Sequence, residues 1–210
     1  MLGFDPKPVL SFATAHHDTE RIPQMSTEHL EAAFASTRQA MSQIQADQLS
    51  AQSPCEQWDV AGVINHVVGG AQFFAAGMRG EQPSEGQDWA SGDYMAAFDQ
   101  AAADCVSCFQ EEGALEKMVA MPFGEMPGAA VMGIATTDVF THGWDIAKAT
   151  GQSTDLAPEL AAGILAQSQQ AISPEWRGPE DSPAPFGAEQ QCADGSCNAD
   201  QLAAFLGRQV

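Results

Sequence analysis

AAVMGIATTDVFTHGWDIAKAT, residues 129 to 150, reads as one amphipathic helix closed by Gly151 just beyond its last turn. The 3.6-residue period puts Val131, Ile134, Ala135, Ile146 and Ala149 on one face, and Asp138, His142 and Asp145 fall on that same face. Two carboxylates and an imidazole on an apolar stripe need partners, because an ionised carboxylate buried alone is strongly unfavourable. Asp138 and His142 are four residues apart and therefore neighbours across one turn. They form either a structural hydrogen-bonded pair or two ligands of a metal ion, and a metal needs a further ligand from elsewhere in the chain.

Upstream, Asp59 caps a helix expected to run to about Met78, with Val60, Ile64, Val67, Ala71, Phe74 and Met78 as its buried stripe and Gly80 and Pro83 as its stop. This helix carries His66, the candidate third ligand; His16, His17 and His29 lie in the N-terminal segment or the first helix. Gly62, Gly69 and Gly70 surround His66. A mid-helix glycine costs roughly 1 kcal/mol against alanine, so close approach of a helix, a metal or a substrate is expected there. The alternative is a half-exposed histidine beside small packing residues.

Elsewhere the pattern predicts a first helix from Ser26 to about Gln48, carrying Leu30, Phe34, Met41 and Ile44 behind the capping sequence Met25-Ser26-Thr27-Glu28. A third helix from near Gly92 carries Met95, Phe98, Ala102, Cys105 and Phe109 and ends at Gly113. Residues 118–128, with Pro122, Gly124, Pro127 and Gly128, suit a loop or short hairpin. Residues 157–172 and 199–206 read as further helices, separated by an irregular stretch from Ser173 to Ser196. Residues 1–24, with Pro6, Pro8 and Pro23, are expected to be a loose N-terminal arm or extension, leaving 25–210 as one domain. Without a repeat or strand-helix alternation, the fold class is an all-α bundle.

The chain holds 28 acidic residues against 8 Lys and Arg, a net charge of -20, so polyanions are repelled; neither nucleic acid nor an acidic membrane surface is an expected partner. Such acidity serves solubility or adaptation to high salt, and refolding at low and molar salt separates the two. With no uninterrupted apolar run of spanning length and no secretion-signal pattern, the cytoplasm is the expected compartment. Five cysteines then read as reduced thiols. Cys105 and Cys108 have C-x-x-C spacing inside a predicted helix and are read as small core residues, while Cys192 and Cys197 either pair in their loop or stay reduced. Trp58 and Trp144 are placed at the pocket mouth or in the core. Phe123 and Met126 are placed over the site.

Three separated motifs carry a family resemblance: Ser53-Pro54-Cys55-Glu56-Gln57-Trp58-Asp59-Val60 leading into Asn65-His66-Val67, then Met121-Pro122-Phe123-Gly124, then Thr141-His142-Gly143-Trp144-Asp145. Together they closely resemble the DinB-like superfamily, in the branch related to the metal-binding N-terminal domain of mycothiol-dependent maleylpyruvate isomerase. The resemblance spans about Ser26 to Arg208, and Cys55 stands where that family often has cysteine. It implies a four-helix bundle holding one metal at the end of its core through His66, Asp138 and His142. The isomerase of that branch has Glu at the position of Asp138, and a further C-terminal domain for which this length leaves no room, so its substrate does not carry over.

Three protein ligands leave a coordination position open, the layout of catalytic zinc, and Ni2+ or Fe2+ also suit two histidines and a carboxylate. Mycothiol or a similar thiol is the implied cosubstrate, acidified by the metal for attack on an electrophilic small molecule, as in a transferase or isomerase. Asp145 then acts as a catalytic partner of His142, orienting it or accepting a proton. The rival expectations are a metal-dependent hydrolase and a non-catalytic metal-binding stress-response module. A homodimer through helix faces is compatible with the sequence, although no exposed stripe marks the face.

Overall fold

A computed structural model describes residues 25–55, 57–83, 86–178 and 184–210. The N-terminal arm read for residues 1–24, with His16 and His17, and Glu56 of the first motif lie outside these residues. Four helices form the bundle: α1 (Thr27–Ser42), α2 (Val60–Arg79), α3 (Tyr94–Gln110) and α4 (Gly128–Ala149). A β-hairpin, β1 (Met118–Met121) with β2 (Gly124–Pro127), joins α3 to α4. Two later helices follow, α5 (Pro158–Ala171) and α6 (Asn198–Phe205), packed on each other. Among the described residues the fold is all-α apart from that hairpin.

Helix starts follow the expected chemistry. Asp59 accepts the Gly62 N–H at 2.8 Å at the start of α2, and Gly80 ends that helix at φ +73. Ser26 caps α1, but His29 stands where a capping box places Glu or Gln: its Nδ1 accepts the Ser26 N–H at 3.0 Å. The first predicted helix is too long. α1 stops at Ser42, and the next residues form a 3-10 turn at Ala46–Gln48, because no apolar partner follows Met41 at helical spacing except the half-buried Ile44. The stretch expected to be irregular holds a 3-10 turn at Pro174–Trp176 and a single bridge between Arg177 and Phe186.

Packing explains the bundle. The α2 stripe, from Val60 to Met78, is fully buried, as are Leu30, Phe34 and Met41 of α1 and Phe98, Cys105 and Phe109 of α3. Each such aliphatic or aromatic side chain contributes about 1.5–3 kcal/mol when fully buried. By length and composition α2 alone among the described helices could cross a membrane, but Asn65, His66 and Gln72 interrupt it and half of the relevant window is buried in the bundle.

α4 is the central element, and α1 approaches it most closely at Gly143. A Cβ there would lie 3.0 Å from the Thr37 Cα, and the Thr37 hydroxyl donates to the Val139 carbonyl at 2.7 Å. α4 springs directly from the hairpin, with the Gly128 and Ala129 N–H groups bonded to the carbonyls of Lys117 and Leu115. Of the residues placed on one face of α4 by periodicity, Val131, Ala135 and Ile146 are core, whereas Ile134 is 37 % exposed. The partly accessible side of α4 is Ala130, Ile134, Thr137 and Asp138, so Asp138 sits at the margin of the core rather than inside it.

Candidate metal centre

α2 and α4 run antiparallel, and their contact places His66 opposite Asp138 and His142. Nε2 of His66 lies 3.1 Å from Oδ1 of Asp138, and Nε2 of His142 lies 3.7 Å from the same oxygen. The two imidazoles meet edge-on with ring centroids 4.4 Å apart. One ligand-type atom from each of the three residues falls within 4.8 Å of the other two, and among the described residues no other group of three His, Cys, Asp or Glu does so. Donors about 2.0–2.1 Å from a tetrahedral ion are themselves roughly 3.3 Å apart, so the donor set and its spacing fit a zinc-sized ion.

The glycines around His66 each make room for a different group. A Cβ on Gly70 would stand 3.3 Å from Oδ2 of Asp138. On Gly62 it would press the Trp58 side chain at 3.0 Å, and on Gly69 the Trp89 ring at 3.3 Å. Trp58 thereby stacks on His66, centroids 4.4 Å apart and planes 30° from parallel, and reaches within 5.5 Å of the His142 ring. The loop beneath it is pinned by Ser53, whose hydroxyl donates to the Trp58 carbonyl at 2.7 Å. Trp144, in contrast, is core, with its indole N–H donating to Asp200 at 2.9 Å. Met126 is also core. Phe123 sits beside Phe73, seven residues along α2 from His66 and so about 10 Å along the helix axis, not over the three ligand-type residues.

Behind His142 lies Asp145, 0 % exposed. Its Oδ2 is 2.9 Å from Nδ1 of His142. A carboxylate accepts there, so Nδ1 carries the proton and the Nε2 lone pair faces Asp138. Arg208 completes the chain of contacts, donating from Nε to Oδ1 at 3.2 Å and from Nη2 to Oδ2 at 3.1 Å. Arg208 was not visible as a site residue in the sequence, being 63 positions from Asp145. The one clue was scarcity: a buried carboxylate needs a cation, and only 8 Lys and Arg exist. Gly207 aims it, at φ +98 and so close to Gly187 that a Cβ would lie 2.7 Å from the Gly187 Cα.

Burial raises the Asp145 carboxyl, yet the His142 hydrogen bond and the Arg208 charge hold it below its usual range. Asp138 is likewise pushed up by burial and held low overall by the hydrogen bond from His66 and the nearby His142. A folded-state value below the unfolded reference of about 3.9 means that the unfolded chain binds more protons in that interval. The stabilisation is therefore complete above about pH 4 and is lost as the pH falls through the folded values. Thermal melting should hold steady from pH 7 to 5 and fall below pH 4, with a smaller acid-induced drop in Asp145→Asn.

None of the five cysteines forms a disulfide. Cys105 and Cys108 are buried in α3, and burial pushes the Cys105 thiol up to about 12, in keeping with a core role. Cys197 starts α6, its sulfur accepting the Asp200 N–H at 3.5 Å.

Comparison with known proteins bears on this arrangement. Residues 30–147 match the family model of the mycothiol maleylpyruvate isomerase N-terminal domain. An uncharacterized protein of Mycobacterium tuberculosis, found in strains CDC 1551 / Oshkosh and ATCC 25618 / H37Rv, is 41% identical over 188 residues, covering 90% of this chain and 98% of the relative. Among solved structures, a mycothiol-dependent maleylpyruvate isomerase and a mutant of it superpose with a TM-score of 0.51 over 71% of this chain and 74% of theirs. At 18% and 17% identity, that likeness establishes a shared fold.

Proposed function

The chain belongs to the mycothiol maleylpyruvate isomerase N-terminal domain family, and from that premise we propose that it is a metal-dependent thiol transferase or isomerase working through His66, Asp138 and His142. The observation that carries the proposal is the convergence of both Nε2 atoms on one carboxylate oxygen at an accessible edge of the bundle. When bound there, a divalent ion, zinc by its donor set, supplies Lewis acidity and acidifies a coordinated thiol. Mycothiol, or a thiol like it, is the cosubstrate suggested by the relatives' names.

The protein's own residues have distinct tasks in this reading. Asp138, 26 % exposed on its side chain, faces the open edge and contributes negative charge. Asp145 fixes the His142 tautomer; because it is held ionised between His142 and Arg208 and shut off from solvent, its task is orientation rather than proton transfer. Trp58 walls the His66 side and limits the approach of water. A cytoplasmic setting, where low-molecular-weight thiols are kept reduced, agrees with the cysteines.

Metal content of untagged protein prepared without nickel, measured by mass spectrometry, tests the reading. Wild type should carry close to one equivalent of zinc, and His66→Ala and His142→Ala should each lose it. A wild-type protein that stays metal-free after incubation with zinc would leave the three residues as a structural hydrogen-bond cluster.

A further inference from the structure

The accessible edge on which Asp138 stands continues away from the three ligand-type residues as a seam between α2 and α4. Contacts fix its register. His66 meets Asp138, a Cβ on Gly70 would stand 3.3 Å from Asp138, and the Met78 methyl would lie 3.2 Å from a Cβ on Gly128. Moving from His66 towards Met78 on α2 thus matches moving from Asp138 back to Gly128 on α4, and Phe73 comes level with Ile134. On α2 the row is His66, Gly70, Phe73 and Gly77, at the i, i+4, i+7, i+11 spacing of one face. On α4 it is Asp138, Ile134 and Ala130.

The far end is closed by the hairpin tip. Phe123, 49 % exposed, lies 6.4 Å from the Phe73 ring, and a cavity of about 280 Å³ opens beside Phe73, Gly77, Met121 and Pro122. The seam also departs from the character of the rest of the chain. Although the protein has 28 acidic residues, α2 has none and α4 has none before Asp138. Cations are equally unavailable to it. Arg38 and Arg79 are paired with Asp99 and Asp104, and Lys117 donates to the Met78 carbonyl. Lys148 lies over Trp144, Arg177 bonds the carbonyls of Gly187 and Phe205, and Arg208 holds Asp145.

We infer that this seam seats an uncharged, apolar aryl or acyl portion of the substrate, whose reacting end meets His66, Asp138 and His142. The inference rests on the metal reading above. Continuity with the three ligand-type residues and a length of roughly 10 Å argue for a substrate arm. The lack of any available cation argues that this arm bears no carboxylate or phosphate. Ile134 and Phe123 then act as specificity determinants, tolerant of substitution for stability because both are exposed.

Hydroxamates, which join a metal-chelating head to a chosen tail, test this on the zinc-loaded protein by calorimetry. Benzohydroxamate should bind about tenfold more tightly than acetohydroxamate, as expected for burial of a phenyl ring. Ile134→Ser and Phe123→Ser should each reduce that gain, while acetohydroxamate, too short to reach either residue, keeps its affinity. A 4-carboxy group on the ring should abolish the gain. Equal affinities for the two tails in wild type, or a gain that survives both variants, would overturn the inference. So would a dimer that both variants dissociate, since the seam would then be covered by a second copy. Absence of acetohydroxamate binding would remove the metal reading, and this inference with it.

Discussion

Arg208→Met is expected to destabilise the protein by about 3–5 kcal/mol, the cost of leaving one partner of a buried ion pair behind. Asp145 has no exposed surface, and its carboxylate oxygens are held by His142 and the Arg208 fork. Without the guanidinium, a buried carboxylate keeps one hydrogen bond and no cation. For a domain of this size the loss corresponds to a fall in melting temperature on the order of 10 °C. Asp145→Asn in the same background should recover part of it, because the charge that needed compensation is gone; thermal melts of the single and double variants measure the coupling. Strictly additive losses would show that the two side chains do not act as a unit. Zinc affinity should also fall in Arg208→Met, by about 10- to 100-fold, as the support behind a histidine ligand loosens.

That dependence ties the C-terminal segment to the centre of the bundle. α6 lies against α4 through the Asp200–Trp144 hydrogen bond, and the backbone crossing of Gly187 and Gly207 directs Arg208 inward. An acidic chain with few cations has placed one of them where a buried carboxylate requires it. Above pH 4 this arrangement is at full strength, as the low-lying Asp145 carboxyl demands.

The helices were legible because their periodicity and caps are local. Asp59, Gly80 and Gly151 mark ends through chemistry confined to one turn, and the stripe from Val60 to Met78 is buried as its spacing predicts. The His66, Asp138 and His142 cluster was legible for a related reason: two of its members share a helix, and few histidines compete for the third place. What sequence could not supply was the azimuth of α4. Ile134 and Ala135 are neighbours on a helical wheel, yet one is exposed and the other is core, because α1 and α2 cover α4 unequally. The partners of Gly62, Gly69 and Gly70 were hidden for the same reason, since Trp58, Trp89 and Asp138 reach them through tertiary packing.

Gly143→Ala carries the other large expected effect, about 3 kcal/mol, at the upper end of what overpacking costs. The added methyl would lie 3.0 Å from the Cα and Cβ of Thr37 and closer still to its hydroxyl, and a backbone atom cannot swing aside as a side-chain tip can. α1 would have to move off α4 as a body. The Thr37 hydroxyl bond to the Val139 carbonyl would lengthen, leaving two buried polar groups poorly paired. Because Gly143 follows His142, the same displacement would tilt that imidazole away from Asp138. Thermal melting and zinc titration should therefore report losses together in Gly143→Ala. Thr37→Ala supplies the control, since it removes the hydroxyl while keeping the close approach, and should cost only about 1–2 kcal/mol. In the double variant Thr37→Gly, Gly143→Ala the removed Cβ opens space beside the new methyl, and recovery of zinc affinity there would show that helix separation had displaced His142. Unchanged zinc affinity in Gly143→Ala, despite a lower melting temperature, would mean that α4 holds His142 in place independently of α1.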